Sequence, residues 1–275
     1  MKRFKLFALC LAAVGFMFTG CDKDKNGNGD GNGNGDGDGN NGNGYNIQIK
    51  IAETPSVEID SVFAIVEYEI SAGKWGEAVI AKAAYNNGSF TISLPAALDS
   101  KYLINAVDFF TDSEDEDGEL QALAKYAKAA ESPISFSDEN AMVKDVWFEA
   151  RCINGESVGT LEYVKASDIS MGEMTSSAAS YIYVDRALKI TGEYSDIVED
   201  DGASYLMKMI VDASMNKGWN VATAELSIDM VNGELLTEMK ANNVQGYKWV
   251  FSKSSYNSDD ADDIEYGVRR KALRK

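Results

Sequence analysis

From residue 45 to about residue 251, apolar and polar side chains alternate one by one over long stretches, the two-residue period of half-buried β-strands. Ile47, Ile49 and Ile51 share one face against Gln48 and Lys50. Val62, Ala64, Val66, Tyr68 and Ile70 repeat the pattern, with Glu67 and Glu69 turned the other way. Residues 78–84 form a weaker run, and Phe90, Ile92 and Leu94 follow the turn signal Asn86-Asn87-Gly88. Residues 102–110, 143–153 and 160–164 are further predicted strands, the last two joined at Asn154-Gly155. Within 143–153, Val146, Phe148, Ala150 and Cys152 fall opposite Trp147, Glu149 and Arg151, which places Cys152 in the core.

One segment breaks the period. Residues 118–131 set Leu120, Leu123, Ala124 and Ala127 on a helical stripe, with the acidic run 112–119 at its N-terminal end and Pro133 as its stop. About seven strands with this helix between the fifth and sixth predict a sandwich of immunoglobulin or transthyretin-like type over 45–165. A second β unit is expected over 166–252. Residues 181–194 and 205–215 alternate, and 205–215 is expected to turn at Asn216-Lys217-Gly218 into a hairpin with 219–228. Residues 235–239 and 247–251 would complete that sheet, and 253–275 would be a charged, frayed tail. The expectation is a mainly β protein of two sandwich-like units.

Ahead of these units, Lys2, Arg3 and Lys5 precede an uncharged apolar stretch, 6–18, too short for the roughly 20 residues of a spanning helix. That is the form of a cleaved export signal, expected here over 1–20. Phe18-Thr19-Gly20-Cys21 then resembles a bacterial lipobox, which implies a lipid on Cys21; Phe18 stands where Leu is usual. Residues 22–44 are almost entirely Gly, Asn and Asp, with nothing apolar to bury, and read as a disordered tether.

The formal charge is −18, and about −21 once the three leader cations are removed. Nucleic acid is excluded as a partner, because binding it needs a basic patch that displaces counterions. The chain has no histidine, which removes the Ser-His-Asp, Cys-His and His-zinc constellations. A carboxylate-pair glycosidase remains as the least favoured reading, since among 44 Asp and Glu residues some pair fits any spacing. The GxGxxG match at 37–42 lacks a flanking strand and helix, and the calcium-loop imitations in the tether lack the closing Glu. No metal or cofactor is expected, although the acidic run 112–119 could offer oxygen ligands to a cation. Trp75, in Gly73-Lys74-Trp75-Gly76, and Trp219, at the expected hairpin tip, are the candidate contact residues. A tryptophan at a loop tip can stack on a sugar or anchor a partner protein, or fold back on its own sheet.

The lipobox, Cys21-Asp22-Lys23-Asp24-Lys25, the low-complexity spacer and the β units together resemble surface lipoproteins of Bacteroidota. The resemblance implies an outer-membrane lipoprotein facing the cell exterior, held to the membrane through Cys21. Its expected role is non-enzymatic: a binding or accessory module for a glycan or protein. A structural subunit of a fimbria-like or envelope assembly is the alternative, because two transthyretin-like domains behind a lipobox also resemble fimbrillins.

Overall fold

The computed structural model describes residues 44–52, 55–86, 88–111, 134–170, 173–200 and 203–253. Within these the protein is mainly β. The first strands are β1 (Tyr45–Lys50), β2 (Ser61–Ser71), β3 (Lys74–Ala84) and β4 (Ser89–Leu94). A 3₁₀ turn at Ser100–Tyr102 leads to β5 (Ile104–Asn105) and the short helix α1 (Ala106–Thr111). Then come β6 (Ile134–Phe136), β7 (Met142–Arg151), β8 (Ser157–Ser170), β9 (Glu173–Val184) and β10 (Leu188–Asp200). The last strands are β11 (Ala203–Met215), β12 (Gly218–Asp229), β13 (Glu234–Ala241) and β14 (Tyr247–Lys253).

β1 and β4 pair by themselves, and the other strands form one twelve-stranded sheet in the order β3-β2-β7-β8-β9-β12-β13-β11-β10-β6, with β14 on β8 and β5 on β7. An Ile51–Trp249 bridge and the bond from the Ala52 amide to the Trp249 carbonyl (2.8 Å) fasten the end of β1 to β14. The sheet serves two cores. One gathers Ile47, Ile49, Val62, Val66, Phe148, Leu161, Tyr181 and Trp249; the other gathers Val143, Ile182, Ile190, Val211, Leu226 and Met239. β9 and β12 supply both through their alternation. Tyr181, Tyr183, Trp219 and Val221 point into the first core, and Ile182, Val184, Ala222 and Ala224 into the second. A strand buried on both faces reads as continuous rather than alternating, as the Ala- and Ser-rich middle of β9 does.

Where β7, β8 and β9 all pair with one another, Trp249 fills the first core. Its ring stacks on Tyr163 (centroids 4.9 Å, 19°) and Tyr181 (6.0 Å, 11°) and meets Phe148 edge-on at 5.2 Å. β14 can approach β8 only because residue 159 is glycine: a Cβ there would stand 2.2 Å from the Ser252 carbonyl oxygen.

Four expectations differ from what is found. Residues 102–110 are no strand: the Asn105 side chain accepts from the Val107 amide at 2.8 Å and caps α1, so the chain turns helical after two β residues. β11 and β12 form no hairpin, because β13 lies between them, parallel to β11 and antiparallel to β12. Residues 247–253 join β8, against the first core, and the expected boundary near Ala166 falls inside β8. Cys152 sits just beyond β7, half-buried in the β7–β8 turn, its thiol donating to Asn154 Oδ1 at 2.7 Å. The expected helix 118–131, acidic run 112–119, tether, Cys21 and most of the tail 253–275 lie outside the described residues.

Candidate functional site

Three adjacent strands at one end of the large sheet, β3, β2 and β7, turn one face into the first core; on the other, β7 continues into the second core at Val143. Val62, Ala64 and Val66 of β2 and Val146, Phe148 and Ala150 of β7 face in, with Ala78, Ala81 and Ala83 of β3 packed beside them. Alternation therefore sends Phe63, Ile65, Glu67 and Glu69, with Trp147, Glu149 and Arg151, to the opposite face, where Ile65 and Glu149 are nonetheless buried. β3 needs one correction to keep its own alternation. An irregularity between Ala64 and Ile65 leaves Ile80 as an extra residue, so Trp75, Glu77 and Val79 share the outer face with Lys82.

The pairing register orders these side chains into rows. Val79 lies opposite Ile65, and Ile65 opposite Trp147, an apolar row across three strands. Val79 is 51% exposed, Ile65 1%, and Trp75 and Trp147 are half-buried. The next row sets Glu77 opposite Glu67, and the one beyond sets Trp75 opposite Glu69. Trp75 and Trp147 are four residues and two strands apart, roughly 16 Å by ordinary sheet spacing. At the other end Lys82 opposes Phe63, whose ring is approached by Lys82 Nζ at 4.9 Å and the Arg151 guanidinium at 4.3 Å. Arg151 also pairs with Glu149.

Among the described residues, the carboxylates between the indoles outnumber the cations. Burial pushes the Glu67 carboxyl up, Lys144 pulls it down, and Glu77 and Asp145 add to the rise. Glu67 Oε1 is shielded and has no hydrogen-bond partner among the described residues. Lys144 Nζ is itself 3.3 Å from Asp145.

Of the two tryptophans singled out by sequence, only Trp75 is on this face. Trp219 is 8% exposed, its ring edge-on to Tyr183 at 5.5 Å and its indole N–H bonded to the Pro95 carbonyl at 2.8 Å. It is a residue of the first core. The parity of β12 decides this, because odd-numbered residues at its start face the first core. The aromatic that sequence reasoning passed over is Trp147. Its signal was present in the alternation of Val146 and Phe148, which turns a tryptophan outward from the middle of a strand.

A second, polar depression of about 60 Å³ lies between Lys165, Thr223, Glu225, Lys240 and Tyr247. It has room for a few waters and falls well below the roughly 300 Å³ at which small-molecule pockets begin. Its charges neutralise one another, Lys165 with Glu225 at 3.3 Å and Lys240 with Glu238 at 3.1 Å. Among the described residues no group of three His, Cys, Asp or Glu side chains is placed to hold a metal. Comparison with protein-family models, curated proteins and solved structures gives no match.

Proposed function

We propose that this chain is a lipid-anchored, surface-displayed module that binds a glycan without catalysis, through the outer face of β3, β2 and β7. The observation that carries the reading is the row Val79, Ile65, Trp147 with Trp75 beside it, on the side of β3, β2 and β7 opposite the first core. Indole faces stack on sugar rings, and carboxylates accept hydrogen bonds from hydroxyls. The lipobox at Cys21 and the Gly/Asn/Asp tether support display outside the outer membrane at a distance from it. The missing histidine supports binding over the common hydrolytic mechanisms.

Glycan-array screening of the body, residues 45–275, tests the reading with Trp75→Ala and Trp147→Ala beside the wild type. Binding lost in both and kept in Lys189→Ala, on a remote exposed strand position, is the expected result. Equal signals from all the proteins would remove the face from consideration. Fatty-acid labelling of the full chain, abolished by Cys21→Ser, tests the anchor.

The structural-subunit reading is favoured by β3, which is a terminal strand of the sheet over eleven residues and pairs only with β2 among the described strands. A body that stays monomeric at high concentration by light scattering would count against it.

A further inference from the structure

We infer that β3 pairs with the β3 of a second copy of this chain, antiparallel about a two-fold axis, and joins two large sheets into one. The pairing uses the edge of the sheet and is independent of what its outer face binds.

β3 is a terminal strand and pairs with β2 alone among the described strands. Within the described residues, the backbone from Glu77 to Lys82 bonds to β2 and to no turn, loop or other strand. Alternate N–H and C=O groups of such an edge point away from the sheet, ready to pair with one more strand. The side chains beside that edge are open too. Glu77, Val79 and Lys82 are all exposed.

The bulge at Ile80 makes this edge complementary to itself. Glu77 and Lys82 are five positions apart, and on a regular strand they would point to opposite faces. The extra residue changes the parity, so Ala78 and Ala81 turn to the first core while Glu77, Val79 and Lys82 share the other face. Residues directly across an antiparallel pair must match faces. A two-fold centred on the bulge meets that condition: Glu77 lies opposite the second copy's Lys82, Ala78 opposite its Ala81, and Val79 opposite its Ile80. Symmetry then repeats each pair.

Both charges gain from the match. Glu77 stands directly across from Glu67 within its own sheet, where like charges repel, and a cation on its other side relieves them. Lys82 lies over the Phe63 ring at 4.9 Å and has no carboxylate partner among the described residues. Beyond Lys82 the chain turns through the Asn86–Ser89 bridge into β4, which pairs with β1, and this turn bounds the ladder. The contact is the same patch on both copies, so it closes at two. So short a ladder buries little area, and the −18 of each chain opposes association, which makes the pair weak in dilute solution and favoured where copies are crowded.

The test is sedimentation velocity of the full chain in mild detergent over a concentration series, with charge reversals on the edge. The wild type is expected as monomer and dimer, the dimer fraction rising with concentration. Glu77→Lys and Lys82→Glu each set like charges opposite one another twice, and each should weaken the dimer about tenfold. Glu77→Lys/Lys82→Glu exchanges the charges and restores both pairs, which should return the dissociation constant to within about threefold of wild type. An equimolar mixture of the two single variants should likewise dimerise. Both positions are exposed, and matching thermal melts separate a lost contact from a lost fold. A wild-type chain that stays monomeric throughout the series overturns the inference. Dimers indifferent to the single reversals, or losses that the double reversal does not recover, overturn it as well, as does assembly that continues beyond two copies.

Discussion

The indole N–H of Trp219 donates to the backbone carbonyl of Pro95 across 2.8 Å, tying the start of β12 to the chain that leaves β4. The two residues are 124 positions apart. Trp219→Phe would keep most of the buried ring and leave the carbonyl without its donor. A buried acceptor stripped of its partner costs about 1–3 kcal/mol, so the urea midpoint should fall by the corresponding amount. Ligand binding to the outer face should be unchanged. A midpoint equal to wild type would mean that the bond contributes nothing.

Asn242 carries a second such tie. It lies where β13 ends between β11 and β12, at φ 58°, a left-handed conformation that asparagine tolerates and alanine does not. Its Oδ1 accepts from the Val221 amide at 3.1 Å, and its own amide donates to the Val221 carbonyl at 2.7 Å. Asn242→Ala loses the side-chain bond and strains the backbone, for about 2–4 kcal/mol together. Asn242→Gly relieves the strain and should recover part of that loss. Equal destabilisation by the two changes would contradict the contribution assigned to the backbone.

Glu162, on β8, gives a dependence on pH. Burial pushes its carboxyl up, against hydrogen bonds with Ser252 and Thr160 that hold it down. A carboxyl raised on folding binds its proton more tightly in the folded state, so ionising it destabilises. That penalty is absent below the ordinary glutamate value, about 4.3, and fully present above the raised one. Glu162→Gln should therefore raise the Tm at neutral pH, with the gap closing as the pH falls through that window. A gap that widens on acidification would reverse the sign of the effect.

Alternation made the outer face partly legible before any coordinates. The sequence around Val146, Trp147 and Phe148 already opposes an aromatic to the core, and Glu67 and Glu69 already oppose Val66 and Tyr68. The rows themselves were not legible. They depend on which strands are neighbours, and on Ile80, whose bulge carries no marker in the sequence. The second unit was read least well for a related reason. A short connection at 216–217 looks like a hairpin, and only the long-range, parallel pairing of β13 with β11 shows that the strands it joins are apart. Trp219 was misplaced as a consequence. Residues 102–110 failed on a local competition, in which the helix cap supplied by Asn105 outweighed the strand pattern after it.

The body contains four tryptophans, two on the outer face and two in the first core, which permits a direct measurement. Incorporation of 5-fluorotryptophan gives four ¹⁹F resonances, assigned by single Trp→Phe changes. Titration with a bound glycan should shift the resonances of Trp75 and Trp147 and leave those of Trp219 and Trp249 in place. Shifts confined to Trp219 and Trp249, or binding that moves none of the four, would contradict the assignment of the β3, β2 and β7 face.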